Sequence, residues 1–194
     1  MNFDKEFWDK RWEEGQTGWD IGFPSTPLVE YMRNYSGLSD RILIPGCGNA
    51  HEAKALYEMG FHDITLLDIS PTACKILSNK LGDLKGIKIV CEDFFFHKGE
   101  YDLILEQTFF CALDPILRES YVKKSASLLT TQGKLAGLLF ASHFNSEGPP
   151  FGGTAEEYKL LFDPLFNILK MEPCMNSILP RQGNELWIEC NLKI

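Results

Sequence analysis

A chain of 194 residues fits one domain and leaves little room for a second independent core. Its content, 44% hydrophobic and 24% charged, is that of a globular protein. A formal net charge of -8 argues against nucleic acid or an anionic membrane as partner, because both demand clustered Lys and Arg.

In chain order, 41–45 reads as a buried strand ending at Pro45-Gly46-Cys47-Gly48, and a helical pattern follows over about 50–60. Residues 64–68 form the next strand. Ser70-Pro71 then supplies a cap and a first-turn proline for a helix to about Leu81. Strands follow over 87–91 and 101–106, and Asp114-Pro115 repeats the cap-plus-proline signal for a helix to about Leu129. The strongest apolar strand covers 134–141, a helix 154–163, and two last strands 165–171 and 185–192. Strand and helix alternate, which implies an α/β fold: a parallel sheet with helices on both faces, closed by an antiparallel hairpin. The Gly/Pro-rich stretch 142–153 is longer than a plain connection needs and reads as a functional lid.

Six cysteines show no Cys-x-x-Cys pair and no zinc spacing, so no metal is expected. Free thiols, no signal-like start and no apolar run of spanning length predict a cytoplasmic protein without a membrane partner, and a monomer with no nucleic-acid partner is expected beside it.

Ligands of open α/β sheets bind at the C-terminal strand ends. Gly46 and Gly48 there permit positive φ and close approach, and Asp68, at the end of the next strand, can accept both hydroxyl hydrogens of a ribose. A dinucleotide fingerprint requires a third glycine, and His51 occupies that position, so a nicotinamide-dependent reductase is disfavoured. Glu92-Asp93-Phe94 adds an acid and an aromatic face for adenine at the third strand end.

These residues sit within further motifs: Phe7-Trp8-x3-Trp12, Thr17-Gly18-Trp19-Asp20, Leu67-Asp68-Ile69-Ser70, Phe109-Phe110-Cys111-Ala112-Leu113 and Gly148-Pro149-Pro150-Phe151. With them the chain resembles the thiopurine S-methyltransferase superfamily, and within it the thiol and halide methyltransferases. The resemblance implies a class I, Rossmann-like domain with a seven-stranded, mostly parallel sheet and S-adenosylmethionine as cofactor. It implies methyl transfer to a small thiol or halide, and a helical cover over the cofactor from residues 1–36. Trp8, Trp12 and Trp19 would form that cover. Gly46, Cys47, Gly48, Asp68, Ile69, Asp93 and Phe94 would hold the adenosine half, with Gln107 at the methionine end.

Phe110, Phe144, Pro150 and Phe151 are the expected substrate walls, with Phe109 and Pro149 of the same apolar character. Arg181 is the candidate catalytic cation beside an anionic acceptor, and Glu106, a strand-end acid facing the cleft, is the second catalytic candidate, as a base or as a holder of the methionine amino group. His143 is a further acid/base candidate, and Cys111 reads as structural. Two departures bear on acceptor choice: Phe151 and Glu106-Gln107 stand where relatives often carry tyrosine and Asp-Tyr. A non-catalytic protein that senses S-adenosylmethionine is the alternative those departures motivate.

Overall fold

The structure is a computed structural model and describes residues 3–142, 144 and 147–193. Seven strands form one sheet: β1 (Ile42–Pro45), β2 (Ile64–Asp68), β3 (Ile87–Cys91), β4 (Tyr101–Gln107), β5 (Leu129–Phe140), β6 (Phe166–Pro173) and β7 (Glu185–Leu192). Their order is β3-β2-β1-β4-β5-β7-β6. The first five run parallel, and β7 lies antiparallel between β5 and β6. Every residue of β1 and β2 is buried, as expected where helices cover both faces of a parallel strand.

Alternation along the strands feeds two cores. Ile42 and Ile44 point to the layer of α2 (Thr26–Arg33), α3 (His51–Glu58) and α4 (Pro71–Leu81), meeting Leu28, Leu56 and Leu77. Leu43 and Ile104 point to the layer of α5 (Arg118–Leu128) and α6 (Ala155–Phe162), meeting Tyr121 and Phe162. Strand order reverses between β1 and β4, so a crevice opens above their C-terminal ends.

The cap signals act as read, with one shift. Ser70 accepts the backbone N–H of Ala73 at 3.1 Å, and Thr154 forms a capping box with Glu157 at the start of α6. Asp114 instead caps a 3-10 turn, Pro115–Leu117, accepting from Ile116, and α5 begins only at Arg118. β5 starts five residues before the expected 134, because Leu129 pairs with Tyr101 across an irregular register. Its exposed polar residues disguise that extension in the sequence.

The expected cover over 1–36 divides in two. α1 (Lys5–Glu13) docks on the start of α4, where Asp9 Oδ1 accepts from Ser70 Oγ at 2.5 Å and from the Thr72 N–H at 2.9 Å. Hydrogen bonding from Ser70 holds the Asp9 carboxyl below its ordinary range. α2 belongs to the core instead, because Leu28 and Met32 bury one face of it.

Among the described residues no helix is long and apolar enough to cross a membrane, and no cluster of metal-ligating side chains forms. Ser70→Ala removes both the α4 cap and the Asp9 contact. A loss of about 1–2 kcal/mol in unfolding free energy is expected, read as a lower urea midpoint at unchanged m-value.

Candidate cofactor and acceptor site

One cavity of about 640 Å³ occupies the crevice, within the roughly 300–1,000 Å³ range of small-molecule sites. Its floor is the turn after β1. Gly46 and Gly48 both have φ of +53°, a region that disfavours residues with a Cβ. At Gly46 a Cβ would lie 2.2 Å from Phe109 Cδ2, so that ring can rest there only on a glycine. At Gly48 a Cβ would project into the cavity, 3.6 Å from Trp12 and 3.8 Å from Trp19.

Asp68 lines this floor. Its Oδ2 accepts the Gly48 N–H and its Oδ1 the Ser70 N–H, each at 2.9 Å. Burial pushes the carboxyl upward, opposed by the backbone N–H groups of Ser70, Gly48 and Ile69. Ile69, Glu92, Asp93 and Phe94 line the same end. Asp93 also accepts the Phe95 N–H, which fixes the turn after β3.

Three indoles close the site from above. Trp8 and Trp12 share one face of α1, and the Trp19 ring meets both edge-on, at 5.5 and 5.8 Å. All three line the cavity, and so does Arg11, which a reading of the 8-11-12 helical face contains but which the aromatic pattern overshadowed. Asp20 latches this segment to the floor, its Oδ2 accepting from Asn49 at 2.6 Å and its Oδ1 sitting 2.7 Å from His51 Nε2. Burial would raise the Asp20 carboxyl, but its donors Gly22, His51 and Asn49 bring it below its ordinary value.

Much of the remaining lining is apolar, namely Leu113, Phe140, Phe144, Pro149 and Pro150, and Phe109 adjoins Phe94 at 5.2 Å. Arg181 borders it with much of its guanidinium engaged. It donates to the Trp19 carbonyl at 2.9 Å, pairs with the buried Glu185 at 3.4 Å, and stands 5.5 Å over the Phe140 ring.

Five sequence expectations are corrected by this geometry. Glu106 does not face the cleft: it is fully buried and bonded to Tyr121 and to the Phe109 and Phe110 N–H groups. Phe110 is also buried, packed on Tyr121 and Tyr158, because the turn after β4 sends Phe109 into the cavity and its neighbour into the core. Gln107 stands off the wall, since alternation along β4 turns it to the face opposite Glu106, and its buried Oε1 has no partner. Cys47 turns its thiol into the α3-side core, and burial raises its pKa. Phe151 lies behind the wall against Phe3, at 5.5 Å, with its N–H bonded to the Cys111 carbonyl. Arg118 further ties the loop by donating to the Phe151 and Gly152 carbonyls. His143 lies outside the described residues.

S-adenosylmethionine fits the residues present. Asp68 offers carboxylate lone pairs to a diol, and Gly46, Gly48, Trp8, Trp12 and Trp19 line the same cavity around it. Phe94 adds an aromatic surface beside the acids Glu92 and Asp93.

Comparison with known proteins agrees. The family described as thiopurine S-methyltransferase matches residues 3–190. A probable thiol methyltransferase 2 of Arabidopsis thaliana is 34% identical over 92% of this chain and 81% of its own length. Thiocyanate methyltransferase 1 of Brassica oleracea is 33% identical over the same shares, and a thiopurine S-methyltransferase of Acinetobacter baylyi 28% over 94% and 96%. Among solved structures, a Burkholderia thailandensis 1,6-didemethyltoxoflavin-N1-methyltransferase holding S-adenosylhomocysteine shares the fold, with TM-score 0.75 and 16% identity over 97% of this chain and 86% of that one. The chain belongs to the thiopurine S-methyltransferase family.

Proposed function

We propose that this chain methylates small thiols at the apolar end of the cavity, with S-adenosylmethionine held at the Asp68 end. Membership of the family makes it an S-adenosylmethionine-dependent S-methyltransferase. The observation that carries the acceptor assignment is one cavity lined both by the acids Asp68, Glu92 and Asp93 and by aromatic and proline residues.

S-adenosylmethionine supplies a methyl group on a cationic sulfur, open to in-line displacement by a thiolate. The protein's own contribution is placement and exclusion of water. Asp68 and the glycine turn fix one partner, while Phe109, Phe144, Pro149 and Pro150 strip water from the other. Charges of opposite sign merge as the reaction proceeds, so a water-poor wall favours it. Arg181 borders the same space and favours an ionised acceptor over the neutral thiol. The three indoles offer electron-rich faces to a cation.

The names of the relatives concern sulfur acceptors, thiocyanate and thiopurine among them. Halide acceptance rests on the sequence resemblance alone and enters as one arm of the test. Purified protein incubated with S-adenosylmethionine and a panel of hydrosulfide, thiocyanate, aromatic thiols, thiopurines and iodide is expected to release S-adenosylhomocysteine with at least one sulfur acceptor. Its rate should rise with pH to a midpoint that follows the ionisation of each thiol. Cofactor binding without turnover on any acceptor would overturn the assignment and favour a sensing role.

Asp68→Ala is expected to weaken S-adenosylhomocysteine binding about 10- to 100-fold by calorimetry, the loss of one or two hydrogen bonds to a charged acceptor. Far-ultraviolet circular dichroism should be unchanged. Equal affinity in the variant would remove Asp68 from the ribose role.

A further inference from the structure

Beneath the aromatic wall lies a carboxylate that touches no part of the cavity. Glu106 Oε1 accepts the N–H groups of Phe109 and Phe110, each at 2.8 Å, and Oε2 accepts the Tyr121 hydroxyl at 2.6 Å. The turn it anchors begins at Thr108, whose φ of +59° is unfavourable for a β-branched residue and must be imposed by its surroundings. Phe109, carried by that turn, packs on Gly46 and meets the Phe94 ring at 5.2 Å. Tyr121 stacks on Phe94 at 5.4 Å. The ends of β1, β3 and β4 therefore lean on one buried group.

All three donors suit an ionised Glu106, whereas burial favours the neutral form and lifts its pKa to about 7. A neutral Glu106 must donate its own proton. Tyr121 can accept it only by turning its hydroxyl hydrogen elsewhere. Ser125 stands one helical turn along α5, close enough for its hydroxyl to influence Tyr121, and its buried Oγ has no partner within full hydrogen-bonding geometry.

We propose that Glu106 is a positioning residue that sets the acceptor-end wall through two alternative arrangements of the Glu106–Tyr121–Ser125 chain. In the first, Tyr121 donates to the charged carboxylate. In the second, Glu106 donates to the Tyr121 oxygen and Tyr121 donates to Ser125 Oγ. The other titratable groups facing this chain are Cys111 on the turn and Cys190 on β7, while Arg181 and Glu185 reach Cys111 from the hairpin loop and the start of β7. A charged Oε1 holds the Phe109 and Phe110 N–H groups more strongly than a neutral carbonyl does, so the wall tightens as pH rises through about 7.

Global stability runs the opposite way. The folded carboxyl binds its proton more tightly than an unfolded one, so this contribution is complete below about pH 4.5 and is lost as pH rises to about 7. Glu106→Gln reproduces the second arrangement, with its amide donating to Tyr121 and its carbonyl still accepting both N–H groups.

The kinetic arm rests on the methyltransferase reading and uses a nitro-substituted thiophenol, ionised throughout the window. Wild-type KM for this acceptor is expected to fall about fivefold between pH 6 and 8, the difference between hydrogen bonds to charged and neutral acceptors. KM for the cofactor should stay constant. Glu106→Gln should be flat at the higher KM, and Ser125→Ala should move the wild-type midpoint downward by destabilising the neutral arrangement. Thermal melts form the second arm and need no turnover: the melting-temperature gap between wild type and Glu106→Gln should change steadily between pH 4.5 and 7. A step in KM that persists in Glu106→Gln, or a gap independent of pH, would overturn the proposal. An inactive protein with a pH-dependent gap sinks the methyltransferase reading and leaves the Glu106 chain standing.

Discussion

Asp68 joins three segments that would otherwise end separately. One carboxyl oxygen takes the N–H of Gly48 from the turn after β1, and the other takes that of Ser70 at the cap of α4. Ser70 in turn donates to Asp9, which brings the N-terminal helix onto the same point. A buried carboxylate survives only where donors surround it, so the turn, the cap and the cover are arranged by the need to satisfy one acid. The cavity is what that arrangement leaves open.

Aromatic rings recur in the cover and in the apolar wall, and several of them meet edge-on. Trp19 stands edge-on between Trp8 and Trp12, and Arg181 holds its carbonyl from the hairpin loop at the far side of the sheet. Residues from both ends of the chain thus close one cavity. On the opposite wall, Phe109 rests on Gly46 because a glycine alone leaves room for it. The cavity lining joins the acids Asp68, Glu92 and Asp93 with aromatic and proline residues. That combination suits an S-methyltransferase, whose acceptor and cofactor make opposite demands on solvent.

Charges near the site are mostly committed. Arg181 pairs with Glu185, Asp20 accepts from Asn49 and faces His51, and Glu106 serves a turn rather than a substrate. Catalysis in such a site depends on placement, and the strained Thr108 backbone shows how firmly one wall is held.

The sequence by itself determined the sheet and the turn and acid that line the cavity floor. Largely apolar strands, Ser70-Pro71, the glycine turn and Asp68 are local signals, each readable because its cause lies within a few neighbouring residues. The third position of the dinucleotide pattern, filled by His51, separated the cofactor types on the same local terms. Tertiary structure alone decided which of two adjacent residues meets the cavity. Phe109 and Phe110 have one composition and opposite fates because they follow a turn that begins at Thr108 with positive φ, while alternation along β4 sends Glu106 into the core. Likewise α2 reads as part of the cover until Leu28 and Met32 find the core. A periodic pattern states that a face is apolar; only the packed neighbours say against what.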